Sequence, residues 1–466
     1  MSKAFALAVV GTVLSLLPAG RSLAVTSGST GSGNAHSNVQ PTLGLNYLVR
    51  MTNGSNGTGA AGYAGDIVLS ANTASTPVPG GWMVAQGQSL LRSSNSQLFS
   101  AIGTTYGSAD STHFNLPDLR GRVAVGAGTV TSLTSARALG EVVGANSASM
   151  TISQMPAHNH TYPGGTTSTT GGGQAMSIMQ SSLAVNYYVE AFGTFPNTST
   201  STAIPSPFMG QVRMSASATV PGEGLAANGQ LVSPDEDYEA LFVLYSNRYG
   251  GDGSTNFAMP DMRGRTAIGA GSGTGLTSRT LASQVGAENV TLTTNNLPAH
   301  THTALPFAAT TGSTGSGTPY ADMQPSLSLN YIIATQGTLP TSSATTETFI
   351  GEITLFAGDF APTGWALCNG QSLSVAQYTA LYSVVGNTYG GTTGVNFNLP
   401  DLRGRAAAGV DGSLVTLGLK LGGETVTLTE DQLPAHTHEV PEPTGFVSAT
   451  LGVLGMVLRR RPRKAI

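Results

Sequence analysis

The stretch Asn398-Leu399-Pro400-Asp401-Leu402-Arg403-Gly404-Arg405 decides the architecture, because its second half recurs. Pro-Asp-Leu/Met-Arg-Gly-Arg stands at residues 117–122, 260–265 and 400–405, spaced by 143 and then 140 residues. A fixed long period means tandem copies of one unit. Working outward, each copy keeps the same ordered signals: Gly65-Asp66-Ile67, Gly210-Gln211-Val212 and Gly351-Glu352-Ile353, then a turn at Gln86-Gly87, Asn228-Gly229 and Asn369-Gly370. Leu98-Phe99, Leu241-Phe242 and Leu381-Tyr382 follow, then Tyr106-Gly107, Tyr249-Gly250 and Tyr389-Gly390. Each copy closes on Pro-Ala-His-x-His, at residues 156–160, 298–302 and 434–438.

Composition gives these units a class. With 61 Gly and 24 Pro in 466 residues and only 9% charged, long helices are excluded, while 40% hydrophobic residues suffice for packed cores. The expected fold is mainly β, short strands and hairpins with one short helix per module (small α+β modules). Asn-Gly between Trp365-Ala366-Leu367-Cys368 and Gln371-Ser372-Leu373 predicts a type I′ hairpin. Ser233-Pro234-Asp235-Glu236-Asp237 predicts an N-cap and first turn of a helix ending near Leu244. Residues 123–126 and 425–429 alternate like half-buried strands. Before each copy, Gln-Pro/Ser-x-Leu-x-Leu/Val-Asn-Tyr (residues 40–47, 180–187 and 324–331) places apolar side chains at i, i+2 and i+4, a strand with one apolar face. The division expected is a leader (1–24), a Gly/Ser-rich linker (25–39), strand plus module one (40–160), a linker (161–179), strand plus module two (180–302), a linker (303–323), strand plus module three (324–438) and a tail (439–466). The linkers read as flexible spacers.

The ends read as addresses. Lys3, an apolar run to Leu17 and Ser22-Leu23-Ala24 form a secretory signal peptide. Val440-Pro441-Glu442-Pro443, a short apolar run and Arg459-Arg460-Arg461 closely resemble the PEP-CTERM sorting signal. That resemblance implies export to the cell surface or extracellular matrix of a Gram-negative, exopolysaccharide-producing bacterium, with an exosortase as processing partner. A tail anchor is the alternative, although about 20 Å of helix is short for a hydrocarbon core of about 30 Å. Without Lys3, Arg21 and the basic residues of the last eight positions, 13 basic residues face 24 acidic ones. An acidic body cannot displace counterions from a phosphate backbone, which excludes nucleic acid as partner. Cys368 aligns with Ala85 and Ala227 and reads as a small buried residue.

The three copies resemble the phage tail collar domain in the version found in microcystin-dependent-protein-like bacterial proteins, where the Gln-Pro-x-Leu-x-Leu-Asn-Tyr segment follows the collar. Copy two departs from the pattern, with Glu223-Gly224-Leu225 where the others have Gly-Trp. The resemblance implies a structural or receptor-binding role and supplies no catalytic residues.

Six of the eight histidines lie in the His-x-His pairs: His158 and His160, His300 and His302, His436 and His438. In an extended segment i and i+2 share a face, and three such pairs give six nitrogens, an octahedral set for a divalent transition metal, zinc or iron. The resemblance to phage fibres implies three chains meeting on a threefold axis. Three modules in one chain allow an intramolecular pseudo-trimer instead of a homotrimer. The alternative is that each pair bonds only within a turn after Pro-Ala. Asp118, Arg120 and Arg122, with Asp261, Arg263, Arg265 and Asp401, Arg403, Arg405, either lock a turn or offer guanidinium pairs to a glycan. No nucleophile–base–acid set or nucleotide-binding loop recurs, so no enzyme is expected. The function expected is adhesion or binding of a surface glycan, exopolysaccharide or partner protein. A matrix or appendage component is the alternative. A polysaccharide-acting enzyme would need residues unique to one copy.

Overall fold

The computed structural model describes residues 25–54, 62–73, 75–130, 132–133, 135–198, 207–219, 224–304, 309–341 and 348–441. The expected leader and residues 442–466 of the expected sorting signal lie outside them. Among the described residues no helix is long and apolar enough to cross a membrane.

The described residues are β-rich, with three α-helices of about two turns each: α1 (Ser96–Ile102), α2 (Glu239–Tyr245) and α3 (Thr379–Val385). Helices this short are held by packing, each through an i, i+4 pair: Leu98 and Ile102, Leu241 and Tyr245, Leu381 and Val385 are all buried. The apolar repeats before each collar form the longest strands, Thr42–Arg50, Ser182–Glu190 and Ser326–Ala334. Only the central Asn46, Asn186 and Asn330 are not fully buried, so these strands are covered on both faces rather than one.

Each long strand also joins two repeats along its edges. Ser182–Glu190 runs parallel to Val123–Gly126 of repeat one and antiparallel to Gln211–Ser215 of repeat two. Ser326–Ala334 joins Thr266–Gly269 to Glu352–Phe356 in the same way. The first long strand closes a ring: Thr42–Arg50 lies parallel to Ala406–Gly409 of repeat three and antiparallel to Asp66–Ser70 of repeat one. The three middle strands (Asp66–Ser70, Gln211–Ser215, Glu352–Phe356) pair with one another pairwise around the pseudo-threefold axis. There the buried Arg213 guanidinium meets Asp66 at 2.7 Å and Glu190 at 2.9 Å. The aligned position holds Val68 in repeat one and Thr354 in repeat three.

Four expectations are corrected. The linkers are not flexible spacers among their described residues. Val25–Thr26 pairs with Glu439–Val440, His36–Ser37 with Ser147–Ala148, Met176–Ser177 with Asn289–Val290, and Tyr320–Ala321 with Thr425–Val426. The Asn369-Gly370 hairpin does not form: Trp365–Leu367 pairs with the long strand Ser326–Ala334 and Ser372–Ser374 with Asn396–Asn398. Gly370 has φ +74° but Asn369 stays at negative φ and accepts the Gln371 N–H, an Asx turn that redirects the chain. Ser233 caps nothing; α2 begins at Glu239 after a turn in which the Asp235 carbonyl accepts the Tyr238 and Glu239 amides. Residues 123–126 form a fully buried strand, whereas only Thr425–Val426 of 425–429 is extended and paired. In repeat two Gly224 occupies the position of Trp82 and Trp365, yet Gly224–Ala226 still pairs with its long strand.

Candidate metal centre

Each His-x-His pair follows a buried apolar residue, Met155, Leu297 or Leu433, that packs with its two counterparts near the axis. The Pro-Ala turn then aims both imidazoles inward. The rings of His158, His300 and His436 lie 5.1–5.3 Å apart, centroid to centroid, and those of His160, His302 and His438 4.8–4.9 Å apart. The two triangles are staggered: His158 is 4.9 Å from His438, His160 4.8 Å from His300, and His302 4.8 Å from His436. With the separations of 5.4–5.5 Å within each pair, every edge of an octahedron is accounted for. His158 and His302, His160 and His436, and His300 and His438 are the opposite corners.

The outer nitrogens fix the tautomers. Nδ1 of His158, His300 and His436 donates to the Pro156, Pro298 and Pro434 carbonyls at 2.9–3.0 Å. Nδ1 of His160, His302 and His438 donates to the Gly312, Gly28 and Ser168 carbonyls at 2.8–2.9 Å. A nitrogen against a carbonyl must carry the proton, so the Nε2 lone pairs are left facing the centre. Nε2 of His160, His302, His436 and His438 is buried without a partner, and Nε2 of His158 and His300 approach to 3.2 Å. Two neighbouring corners of an octahedron at that separation stand about 2.3 Å from its centre, close to the ~2.1 Å of an imidazole–metal bond. The donor set therefore fits one six-coordinate transition ion.

Burial, opposed by the carbonyl bonds and reinforced by mutual repulsion, lowers the pKa of His158 and His160 to about 4 and of His436 to about 3; His302 and His438 are lowered for the same reasons. At neutral pH these imidazoles are unprotonated, the state a metal requires.

The turn-after-Pro-Ala alternative describes half the geometry, since the first histidine of each pair does bond its own turn. The second bonds a neighbouring repeat, a partner with no signal in the local sequence. The bridges Thr30 to His436, His158 to Thr170 and His300 to Thr314 show that residues 25–39 stand to repeat three as residues 161–179 stand to repeat one. The chain is thus a circularly permuted ring whose first segment completes its last repeat. A second contribution missed by the sequence reading is a cyclic girdle: the amides of Gln40, Gln180 and Gln324 donate to Oε1 of Gln180, Gln324 and Gln40 at 3.0–3.2 Å.

The Asp and Arg residues lie apart from this centre. Asp118 receives the Arg120 amide and its guanidinium fork, and the same fork joins Arg263 to Asp261 and Arg403 to Asp401, at 2.8–3.3 Å. Arg122 and Arg265 reach the carbonyls of Asp118 and Asp261, and Arg405 that of Thr274. These are turn locks, and they also join repeats. Gly126, Gly269 and Gly409 accept the Gly264, Gly404 and Gly121 amides of the adjoining turn. Cys368 is buried where Ala85 and Ala227 stand, its thiol pKa pushed up by burial.

The Phage Tail Collar Domain matches this chain three times, at residues 65–124, 210–267 and 351–407. Protein RhiB of Rhizobium leguminosarum bv. viciae is 33% identical over 98 residues, 18% of this chain and 45% of that protein, so the match spans about half of the relative's length. No solved structure matches. Three tandem copies of the phage tail collar domain, a structural module of tail fibres, are therefore what this chain carries, closed into a ring around a six-histidine centre.

Proposed function

We propose that this protein is an exported, non-catalytic binding module of the cell surface, whose three collar domains are pinned about one axis by a divalent transition metal. The octahedron of six imidazoles, with their Nε2 atoms turned from the carbonyls that hold Nδ1, carries the metal half of this reading. Six imidazoles suit iron better than zinc, which favours four ligands. The ion supplies a crosslink between three repeats, and the six carbonyls behind the Nδ1 atoms place negative dipole ends around a doubly charged centre that has no carboxylate. Such a crosslink holds the three collar domains in fixed relative positions for multivalent contact with a surface glycan or partner protein.

The address signals at the two ends support export. Intact mass from the native host should begin near Val25 and end near Pro443; retention of residues 459–466 would favour a tail anchor. Binding is tested by a glycan array with metal-loaded protein. Saturable binding supports adhesion, whereas no ligand together with self-assembly into polymers favours a matrix component.

A further inference from the structure

The pseudo-threefold ring contains its own control, because three equivalent junctions join the repeats. Gly144, Gly286 and Gly422 mark the equivalence: a Cβ on each would strike the carbonyls of Met179 and Gln180, Met323 and Gln324, or Val39 and Gln40. Seven residues before these glycines stand Arg137, Arg279 and Val415, and two residues after them Asn146, Glu288 and Glu424. At the first junction Arg137 pairs with Glu288 at 2.6 Å, and at the second Arg279 pairs with Glu424. At the third, which closes the ring, both members of the pair are gone, and Val415 and Asn146 stand in their places.

A cleft of about 450 Å³ lies at this third junction, walled by Val39, Leu414, Val415 and Leu421 and lined by no charged side chain. The corresponding cleft at the second junction, about 380 Å³, contains both Arg279 and Glu424. The uncharged cleft also holds three polar side chains that are more than nine-tenths buried and lack hydrogen-bond partners at His36 Nδ1 and Nε2, Thr42 Oγ1 and Gln180 Nε2. The positions equivalent to His36 carry Met176 and Tyr320. Burial lowers the His36 pKa, so its ring is neutral and offers one donor and one acceptor. Leaving buried polar groups unpaired is costly, and an apolar pocket of several hundred Å³ with a few convergent polar groups is the ordinary form of a small-molecule site.

We propose that the third junction is a binding site for an uncharged amphiphile, an aliphatic body bearing a hydroxyl that meets His36, Thr42 and Gln180. The absence of lining charge selects against acids and amines, and a hydroxyl is the smallest uncharged group that both donates and accepts as these partners require. The site is independent of the metal centre and of any adhesive role.

The test uses the full, metal-loaded chain with 1-octanol as probe and 1-methoxyheptane as the length-matched control without an O–H. Titration calorimetry should show one saturable octanol site per chain and at least about tenfold weaker ether binding, as expected when buried polar groups lose a partner. The double variant Val415→Arg with Asn146→Glu rebuilds the ion pair of the other junctions and should abolish octanol binding without lowering the melting temperature. Should that variant fail to fold, His36→Met, which installs the residue of the equivalent position, should weaken octanol about fivefold or more while sparing the ether. Absence of saturation with octanol, equal binding of the ether, or unchanged octanol affinity in a folded variant would overturn the assignment.

Discussion

Replacing Gly409 with alanine should open the ring. Its φ lies outside the left-handed region, so the substitution carries no conformational penalty of its own. The added Cβ would lie 1.9 Å from the Leu119 carbonyl oxygen and 2.7 Å from its carbon, against the roughly 3 Å that real contacts allow, so repeat three must retreat from repeat one by about 1 Å. That movement stretches two hydrogen bonds, Gly121 N–H to the Gly409 carbonyl at 2.8 Å and Gly409 N–H to the Arg122 carbonyl at 2.9 Å, beyond useful length. Two lost bonds at about 1 kcal/mol each, with about 1–3 kcal/mol of overpacking, give about 3–5 kcal/mol. Set against a total stability of about 5–15 kcal/mol, this is a large loss. Urea unfolding of the purified chain measures it, with Gly423→Ala, whose nearest neighbour is 3.3 Å away, as the control expected to change little. Gly126→Ala and Gly269→Ala should match Gly409→Ala, because their Cβ atoms meet the Met262 and Leu402 carbonyls at 1.9 and 2.1 Å. A Gly409→Ala cost below about 1 kcal/mol would refute the closed ring.

Elemental analysis should find one transition-metal ion per chain, lost in His436→Ala/His438→Ala; absence of stoichiometric metal in the native protein would sink the crosslink. In metal-stripped protein the depressed histidine pKa values stabilise the fold fully above pH 6.5, and this contribution should drain away as pH falls toward about 4, read from urea midpoints. A flat profile between pH 6.5 and 4.5 contradicts the buried, neutral cluster. For the loaded protein, retention of metal well below pH 6.5 is expected, lower than an unperturbed histidine would allow. Asp401→Ala should cost about 1–2 kcal/mol through loss of the Arg403 fork while leaving ligand binding intact; lost binding at unchanged stability would assign the turn to a ligand site instead.

What the sequence determined by itself is local or repeated. The period fixes three units. The i, i+2 spacing puts two imidazoles on one face, and the Asp401 to Arg403 lock needs no residue from outside its own turn. What only tertiary structure decided is which copy meets which. The second histidine of each pair takes its carbonyl from another repeat, so nothing beside His302 in sequence points to Gly28, 274 residues away. The failed Asn369-Gly370 hairpin has the same cause. A two-residue turn makes a hairpin locally available, but Trp365–Leu367 is taken up by the long strand Ser326–Ala334 and Ser372–Ser374 by Asn396–Asn398, and these pairings override the turn propensity. The Gly/Ser/Thr stretches read as flexible because their composition buries little, yet their backbones are held by neighbouring repeats. The third junction is legible in the sequence only as a missing Arg and a missing Glu, 269 positions apart. Their meeting, and the cleft left where they do not pair, exists only once the first strand has closed the ring.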